Sequence, residues 1–191
     1  MRRRAIGLLL LVVVGVLASA ALAATPKPVT VVDPKGDVNG ALDLRQVVLA
    51  RGTDGRLRAS LTLAAGWDAD ALLAEEGPPG SLCLKIWTAA EPPDQTPDHL
   101  VCVTANADGD LRGSVLKERA NQLPERTGAA TVTKPTERTV TVRFSQTAIG
   151  KPATVRVQAE ATRAGCPRGS CIDLAPDAPK VMTLKLRDDE Q

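Results

Sequence analysis

The sequence is dominated by apolar and polar residues that alternate with a period of two. The alternation is clearest over residues 56–63, 139–144 and 154–161. It is typical of β-strands with one face against a core and the other against solvent. Further strands are predicted at 29–32, 42–50, 81–88, 99–105, 110–117, 129–134 and 180–186, with Gly, Pro, Asn and Asp turns between them.

Helical patterns are scarce in this chain. Two helical turns are predicted over 67–76, with Asp68 as N-cap, and a single turn is predicted over 145–149. Eight to ten short strands joined by regular turns predict an all-β fold, an antiparallel β-sandwich of the jelly-roll or immunoglobulin-like kind, or else an open barrel. No internal repeat or long linker divides the chain, so we expect a single domain.

The N-terminus has the three-part layout of an export signal. Arg2, Arg3 and Arg4 precede an apolar run at 6–17, and small residues follow at 18–24. This pattern predicts a signal peptide over 1–23, cleaved after Ala23, and a secreted or cell-surface mature domain over 24–191. The alternative is an uncleaved N-terminal anchor, because residues 6–24 could just span a bilayer.

Charge and aromatic content narrow the partners of the mature domain. Without the three arginines of residues 1–23, the chain carries 21 basic and 22 acidic residues. A net charge this close to zero predicts no polyanionic partner. The chain has no Tyr, one Phe and two Trp, so the stacking platforms of nucleic-acid binders are missing as well. We expect a monomer with no nucleic-acid or membrane partner.

Four cysteines in an exported domain favour disulfides, for which three connectivities are possible. Pairing neighbours gives Cys83 with Cys102 across a Pro-rich loop, and Cys166 with Cys171 across a turn. The alternative is four free buried thiols. Neither pair has the spacing of a zinc site.

An Asp- and Gly-containing loop precedes the second predicted strand. Asp33, Asp37 and Asp43 offer the hard oxygen ligands that calcium takes, and Asp173 is a candidate to complete the site. The spacing is not that of an EF-hand. The alternative is a polar turn in which the aspartates cap local backbone N–H groups.

No sequence motif brings together the residues that nucleophilic catalysis requires. The single histidine, His99, follows a Pro-rich stretch and is interpreted as a surface loop residue. No Gly-x-Ser-x-Gly or phosphate-binding Gly-rich motif occurs. The sequence therefore predicts a protein that is not an enzyme.

Short motifs carry a family resemblance. Asp-Pro-x-Gly-Asp at 33–37, Asp-Leu at 43–44 and the strand after them resemble the start of DOMON-like and family 9 carbohydrate-binding-like β-sandwiches. The ending around 166–177 is similar to exported proteins of high-GC bacteria with no assigned function. The resemblance implies a sandwich with a binding face and without catalysis. Haem-binding members use Met with His or Lys as axial ligands. The mature chain offers Met182 and His99, which match that pair poorly.

Sugar-binding members of such families hold their ligand between aromatic rings. Trp67 and Trp87 are the candidates for a clasp of that kind, and burial in the core is their alternative role. Two functions stay open. One is a secreted binding module for a carbohydrate or protein ligand, which exposed tryptophans beside a concave face would favour. The other is a structural or envelope-associated domain without a small ligand, tethered by an uncleaved N-terminus, which buried tryptophans would favour.

Overall fold

The structure, a computed structural model, describes residues 26–34, 36, 40–89, 96–166 and 171–187. These ranges contain eleven strands and two single turns of 3₁₀ helix. The strands are β1 (Val29–Val32), β2 (Leu44–Arg51), β3 (Arg56–Leu63), β4 (Ser81–Trp87), β5 (His99–Ala105), β6 (Leu111–Lys117), β7 (Glu125–Thr133), β8 (Thr139–Ser145), β9 (Thr154–Thr162), β10 (Ile172–Ala175) and β11 (Met182–Lys185). The all-β prediction is confirmed. The predicted signal segment and its cleavage point lie outside the described residues.

The strand predictions differ from the structure mainly at short or polar stretches. β10 was not predicted. It has only four residues, so the alternation is hard to recognise beside the cysteine-containing turn. β7 begins four residues earlier than predicted, with the polar residues Glu125, Arg126 and Thr127. Of the two helical turns expected over 67–76, the structure forms one, Ala69–Leu72, and the Asp68 side chain makes no capping hydrogen bond to it. The turn Gln146–Ile149 is capped by the Ser145 hydroxyl, as the sequence predicts.

All strand pairings are antiparallel, in the order β1-β2-β3-β8-β7-β6-β5-β4-β9-β10, and β11 lies beside β10 on the same edge of β9. The two ends of this order approach each other, because β10 contacts β2 and β1 contacts β11. The sheet is therefore nearly barrel-shaped. Its first half consists of β1, β2, β3 and β8. Its second half consists of β4, β5, β6, β9, β10 and β11.

β7 belongs to both halves and turns the sheet from one to the other. Its residues 125–130 pair with β6, and Thr131, Val132 and Thr133 pair with β8. Gly113 of β6 lies opposite Ala130 at this corner. A Cβ atom on Gly113 would fall inside the contact distance of the Ala130 carbonyl oxygen, so only glycine fits this close approach.

One hydrophobic core fills the space between the two halves. Leu57, Leu61 and Leu63 point into it from β3, and Leu82 and Leu84 point into it from β4. The period of two then places the alternate side chains of each strand on the outer faces. The helical turns among the described residues are too short to cross a membrane.

Candidate functional site

The outer face of the first half-sheet carries rows of hydroxyl groups that run across its strands. Ser60 lies opposite Thr141, and their hydroxyl oxygens are 3.0 Å apart. Thr62 and Thr139 form the next such pair, with their hydroxyl oxygens 3.2 Å apart. β7 extends the surface with two exposed threonines. The hydroxyl face, as we call it, consists of Ser60, Thr62, Thr131, Thr133, Thr139 and Thr141.

An arginine cluster borders the hydroxyl face near the β2–β3 turn. It consists of Arg56, Arg58 and Arg143, together with Asp54 of the turn. Arg58 and Arg143 are direct partners in the β3–β8 register. Directly opposed residues of antiparallel strands have Cβ atoms about 5 Å apart, and like charges in that position repel each other. Both side chains lie on the solvent side of the sheet.

Asp54 neutralises only part of this charge. Its Oδ2 atom is 2.7 Å from a guanidinium nitrogen of Arg143 and 4.0 Å from Nε of Arg56. The hydrogen bond from the backbone N–H of Arg56, followed by the charge of Arg143, lowers the pKa of Asp54 despite partial desolvation. Arg58 forms no ion pair with any carboxylate in the described part of the chain. Three guanidinium groups against one carboxylate leave two positive charges in the cluster.

An open depression of about 480 Å³ joins the arginine cluster to the hydroxyl face. Its walls are the four cluster residues, and Thr131, Thr133 and Thr141 supply hydroxyls. Thr141 is only 3% exposed, although it lies on the outer side of the sheet. The depression therefore offers cationic donors at one end and neutral hydrogen-bonding groups along its length. Such an arrangement can bind a polar ligand.

The aspartates predicted to bind calcium meet at the seam between the two half-sheets. Asp33, Asp43 and Asp173 are buried, with exposures of 2%, 4% and 2%. Oδ2 of Asp173 accepts a hydrogen bond from the backbone N–H of Leu44 at 2.5 Å, which ties β10 to β2. Oδ2 of Asp43 accepts one from Gly36 at 3.0 Å. The Asp43 contact is a local backbone cap of the kind that the alternative interpretation predicts, whereas the Asp173 contact joins residues 129 positions apart.

Calcium binding at this seam stays a prediction. No group of three or more His, Cys, Asp or Glu side chains is arranged to hold a metal ion within the described ranges, which do not include Asp37. Oδ1 of Asp43 is nevertheless buried and has no hydrogen-bond partner among the described residues. A calcium site here would need Asp37 or another ligand from outside those ranges to complete its coordination.

Trp67 and Trp87 are both buried, each with 6% exposure, so they do not form an exposed clasp. Trp67 belongs to the main core, and the Lys134 ammonium lies 5.5 Å from its ring centre. Trp87 ends β4 and lies opposite Arg156 of β9. Burial, the alternative role, is the one observed. Exposed tryptophans would have favoured a sugar-binding module, so their burial removes that support for it.

Both neighbour pairs of cysteines lie at disulfide distance. Cys83 and Cys102 are direct partners in the β4–β5 register, with Cα atoms 4.1 Å apart. The Cα atoms of Cys166 and Cys171 are 6.0 Å apart. The connectivity therefore matches the pairing of neighbours, and the described residues include no free cysteine. The first pair links β4 to β5 in the second half-sheet.

His99 is not the surface loop residue that the sequence predicted. It is the first residue of β5, 8% exposed, and faces Ile86 and Lys117 on the neighbouring strands. It lines a cleft of about 610 Å³ at one end of the core, beside the turn Gln146–Ile149. Burial and the nearby Lys117 lower the pKa of His99 against the opposing effect of Asp98, so the ring is neutral near pH 7. The predicted strand over 99–105 did begin at this residue, but the preceding Pro-rich stretch suggested that its side chain was exposed.

No protein-family profile, curated protein or solved structure matches the chain. The resemblance to DOMON-like and family 9 carbohydrate-binding-like sandwiches therefore stays an expectation. The geometry of the outer face is the basis for assigning a function.

Proposed function

We propose that the protein is an exported, non-catalytic binding module that holds a glycan on the outer face of its first half-sheet. The observation that carries this proposal is the depression shared by the hydroxyl face and the arginine cluster. Hydroxyl, guanidinium and carboxylate groups there match the hydrogen-bonding groups of a sugar chain. The N-terminal signal pattern and the paired cysteines support export.

The face suits an extended ligand better than a compact one. Its rows follow the register across β3, β8 and β7, so the hydrogen-bonding groups continue from strand to strand. Neighbouring strands lie about 4.8 Å apart, and alternate residues along a strand about 7 Å apart. The depression is open to solvent along this grid. An extended chain can lie across it.

The second candidate is a structural or envelope-associated domain without a small ligand. Burial of Trp67 and Trp87 favours it, because it leaves no aromatic platform for a sugar ring. A protein ligand is the other possibility for a binding module. The exposed threonines of β7 distinguish glycan binding from a structural role, and a polysaccharide probe distinguishes a glycan from a protein ligand.

Binding of the purified protein to a panel of soluble polysaccharides, measured by affinity gel electrophoresis, tests the proposal. We expect retardation by at least one polysaccharide and a loss of about fivefold or more in affinity for the double variant Thr131→Ala/Thr133→Ala. Thr183→Ala, an exposed threonine on β11, is the matched control. Absence of retardation across neutral and charged polymers would leave the structural domain as the better assignment.

A further inference from the structure

We propose that the ligand is a carboxylated polysaccharide, in which a uronate group is received between Arg58 and Arg143. This inference rests on the proposed function and adds the chemical class of the glycan. Arg58 and Arg143 lie directly opposite each other on β3 and β8. Directly opposed like charges on neighbouring strands destabilise a sheet, and the described residues provide no carboxylate partner for Arg58. A ligand anion would relieve that repulsion.

The geometry of the pair suits a carboxylate. Guanidinium groups bind carboxylates through two parallel hydrogen bonds, and these charge-assisted bonds are stronger than neutral ones. Asp54 already occupies one side of Arg143, at 2.7 Å, so a carboxylate is accommodated in this cluster. Arg58 and Arg143 both line the solvent-open depression, so a second carboxylate can reach them from there.

The lack of exposed aromatic rings makes charge more important. A neutral glycan on a flat protein surface gains much of its affinity from contact with Trp or Tyr rings. This chain has no Tyr, and its Phe144, Trp67 and Trp87 are all buried. The hydroxyl face alone supplies neutral hydrogen bonds, each of which contributes little in water. The arginines therefore offer the strongest contribution to the affinity of this face for a glycan, and they favour an anionic sugar.

Asp54 argues for a uronate rather than a denser polyanion. Its carboxylate stays ionised, because neighbouring hydrogen bonds and charges favour the ionised form. A heavily sulfated polymer, with more than one sulfate on each ring, would place more negative charge beside that carboxylate at the edge of the cluster. A nucleic acid would find no exposed ring on which to stack its bases. A glycuronan has one carboxylate and several hydroxyls on each ring, so it brings less charge to Asp54 than a polysulfate and needs no stacking platform.

The near-zero net charge of the mature chain predicted no polyanionic partner. The local distribution differs from that average, since the cluster concentrates two net positive charges around one depression. Interactions between exposed charges decay over about 8 Å at physiological salt, so the local charge decides binding at this face.

Isothermal titration of the purified protein with oligogalacturonate, at low salt, tests the inference. We expect saturable binding that weakens as NaCl rises from about 0.05 to about 0.5 M. Arg58→Gln should weaken binding about tenfold, and Arg58→Gln/Arg143→Gln should weaken it about 100-fold. Arg126→Gln should bind like the wild type, because Arg126 is another exposed arginine with no carboxylate partner among the described residues, on the part of β7 that pairs with β6.

Asp54→Asn supplies the opposite test. The amide can still accept the hydrogen bond from the backbone of Arg56, but it releases Arg143 from its ion pair and removes the negative charge. We expect oligogalacturonate to bind about threefold to tenfold more tightly to this variant. A role limited to folding would not produce a gain in affinity.

The other polymers give the contradicting outcomes. If a neutral galactan binds as well as oligogalacturonate, or if Arg58→Gln/Arg143→Gln binds like the wild type, the anionic class is wrong while glycan binding stands. If sulfated dextran or single-stranded DNA binds more tightly than oligogalacturonate, the face is a general polyanion surface and the uronate assignment fails. If none of the four polymers binds, both this inference and the proposed function fail.

Discussion

The outer faces of the two half-sheets are built from opposite kinds of contact. The face of the second half carries the Cys83–Cys102 disulfide and an ion pair between Lys85 and Glu160, whose side chains are 26% and 19% exposed. The face of the first half places Arg58 against Arg143. One face therefore holds charges that are neutralised and partly buried, and the other holds like charges in solvent.

This difference separates contacts that stabilise the fold from contacts that are poised for a partner. A disulfide and a shielded ion pair contribute to the free energy of unfolding of the isolated domain. Opposed arginines reduce that free energy, and in our proposal a ligand anion offsets their repulsion. We therefore expect variants of the second face to lose stability, and variants of the arginine pair to gain stability and lose binding.

The disulfide pairs give the largest expected effect. Cys83→Ala/Cys102→Ala opens a loop with a sequence separation of 19 and should lower the free energy of unfolding by about 3 kcal/mol. Cys166→Ala/Cys171→Ala opens a separation of 5 and should cost about 2 kcal/mol in the same chain-entropy estimate. Urea denaturation of both double variants under oxidising conditions measures the difference. Equal and negligible losses would mean that the cysteines are not bridged in solution.

The ion pair of the second face comes next. Glu160→Ala removes the partner of Lys85, whose side chain is only 26% exposed in the native protein, so we expect a loss of about 1–2 kcal/mol. Glu125→Ala, which removes the more exposed partner of Arg119, is the control and should cost less than about 0.5 kcal/mol. The ranking from urea midpoints is the readout. A smaller loss for Glu160→Ala than for Glu125→Ala would contradict the distinction between shielded and open charges.

The aspartate seam joins the two halves and gives an effect of similar size. If Asp37 completes a calcium site with a dissociation constant near 10⁻⁴ M, as in extracellular modules, about 1 mM calcium adds roughly 1.4 kcal/mol to stability. We expect a higher melting midpoint in calcium than in EDTA, and loss of that gain in Asp37→Ala. Identical midpoints in calcium and EDTA would leave the seam as hydrogen-bonded turns, with Asp173 binding Leu44.

The arginine pair gives a smaller stability effect of opposite sign. Arg58→Thr removes one of two opposed like charges and places a β-branched residue in a strand, so stability should rise by about 0.5 kcal/mol. The same variant should lose affinity for oligogalacturonate. Thermal melts with and without the ligand show both effects in one experiment. A loss of stability in the free protein would mean that Arg58 supports the fold.

Much of the fold could be predicted from the sequence because its information is local. Period-two alternation located β3, β8 and β9 to within a residue, and the glycine- and proline-rich turns separated the other long strands. β10 was missed because four residues between a cysteine-containing turn and prolines show too little alternation. The pairing of Cys83 with Cys102 followed from their predicted strands on either side of a Pro-rich loop, and that of Cys166 with Cys171 followed from the turn between them.

The candidate site could not be predicted, because it depends on which strands become neighbours. Arg58 and Arg143 are 85 residues apart, and only the β3–β8 pairing brings them together. That pairing follows from the position of β7, which turns the sheet at Gly113 and Ala130. Residue types alone pointed to Trp67 and Trp87, and both are buried. The burial of Trp67 reflects the need of a core with few aromatic residues for large side chains.

The smallest expected effect comes from His99, at the end of the core between the two halves. Burial holds the pKa of His99 below its ordinary value of 6.5, so the unfolded chain binds a proton at a higher pH than the folded one. Stability is therefore complete above about pH 6.5 and declines as the pH falls from there towards the lowered pKa. Asp98 affects stability over a lower pH range. Burial raises its pKa, but hydrogen bonds from Thr88 outweigh burial and hold the pKa below 3.8. Its contribution to stability is therefore lost only at more acid pH. Urea midpoints measured between pH 5 and 7 should slope for the wild type and become flatter for His99→Gln. Equal slopes for the two proteins would mean that the imidazole is as free to take a proton in the cleft as in the unfolded chain.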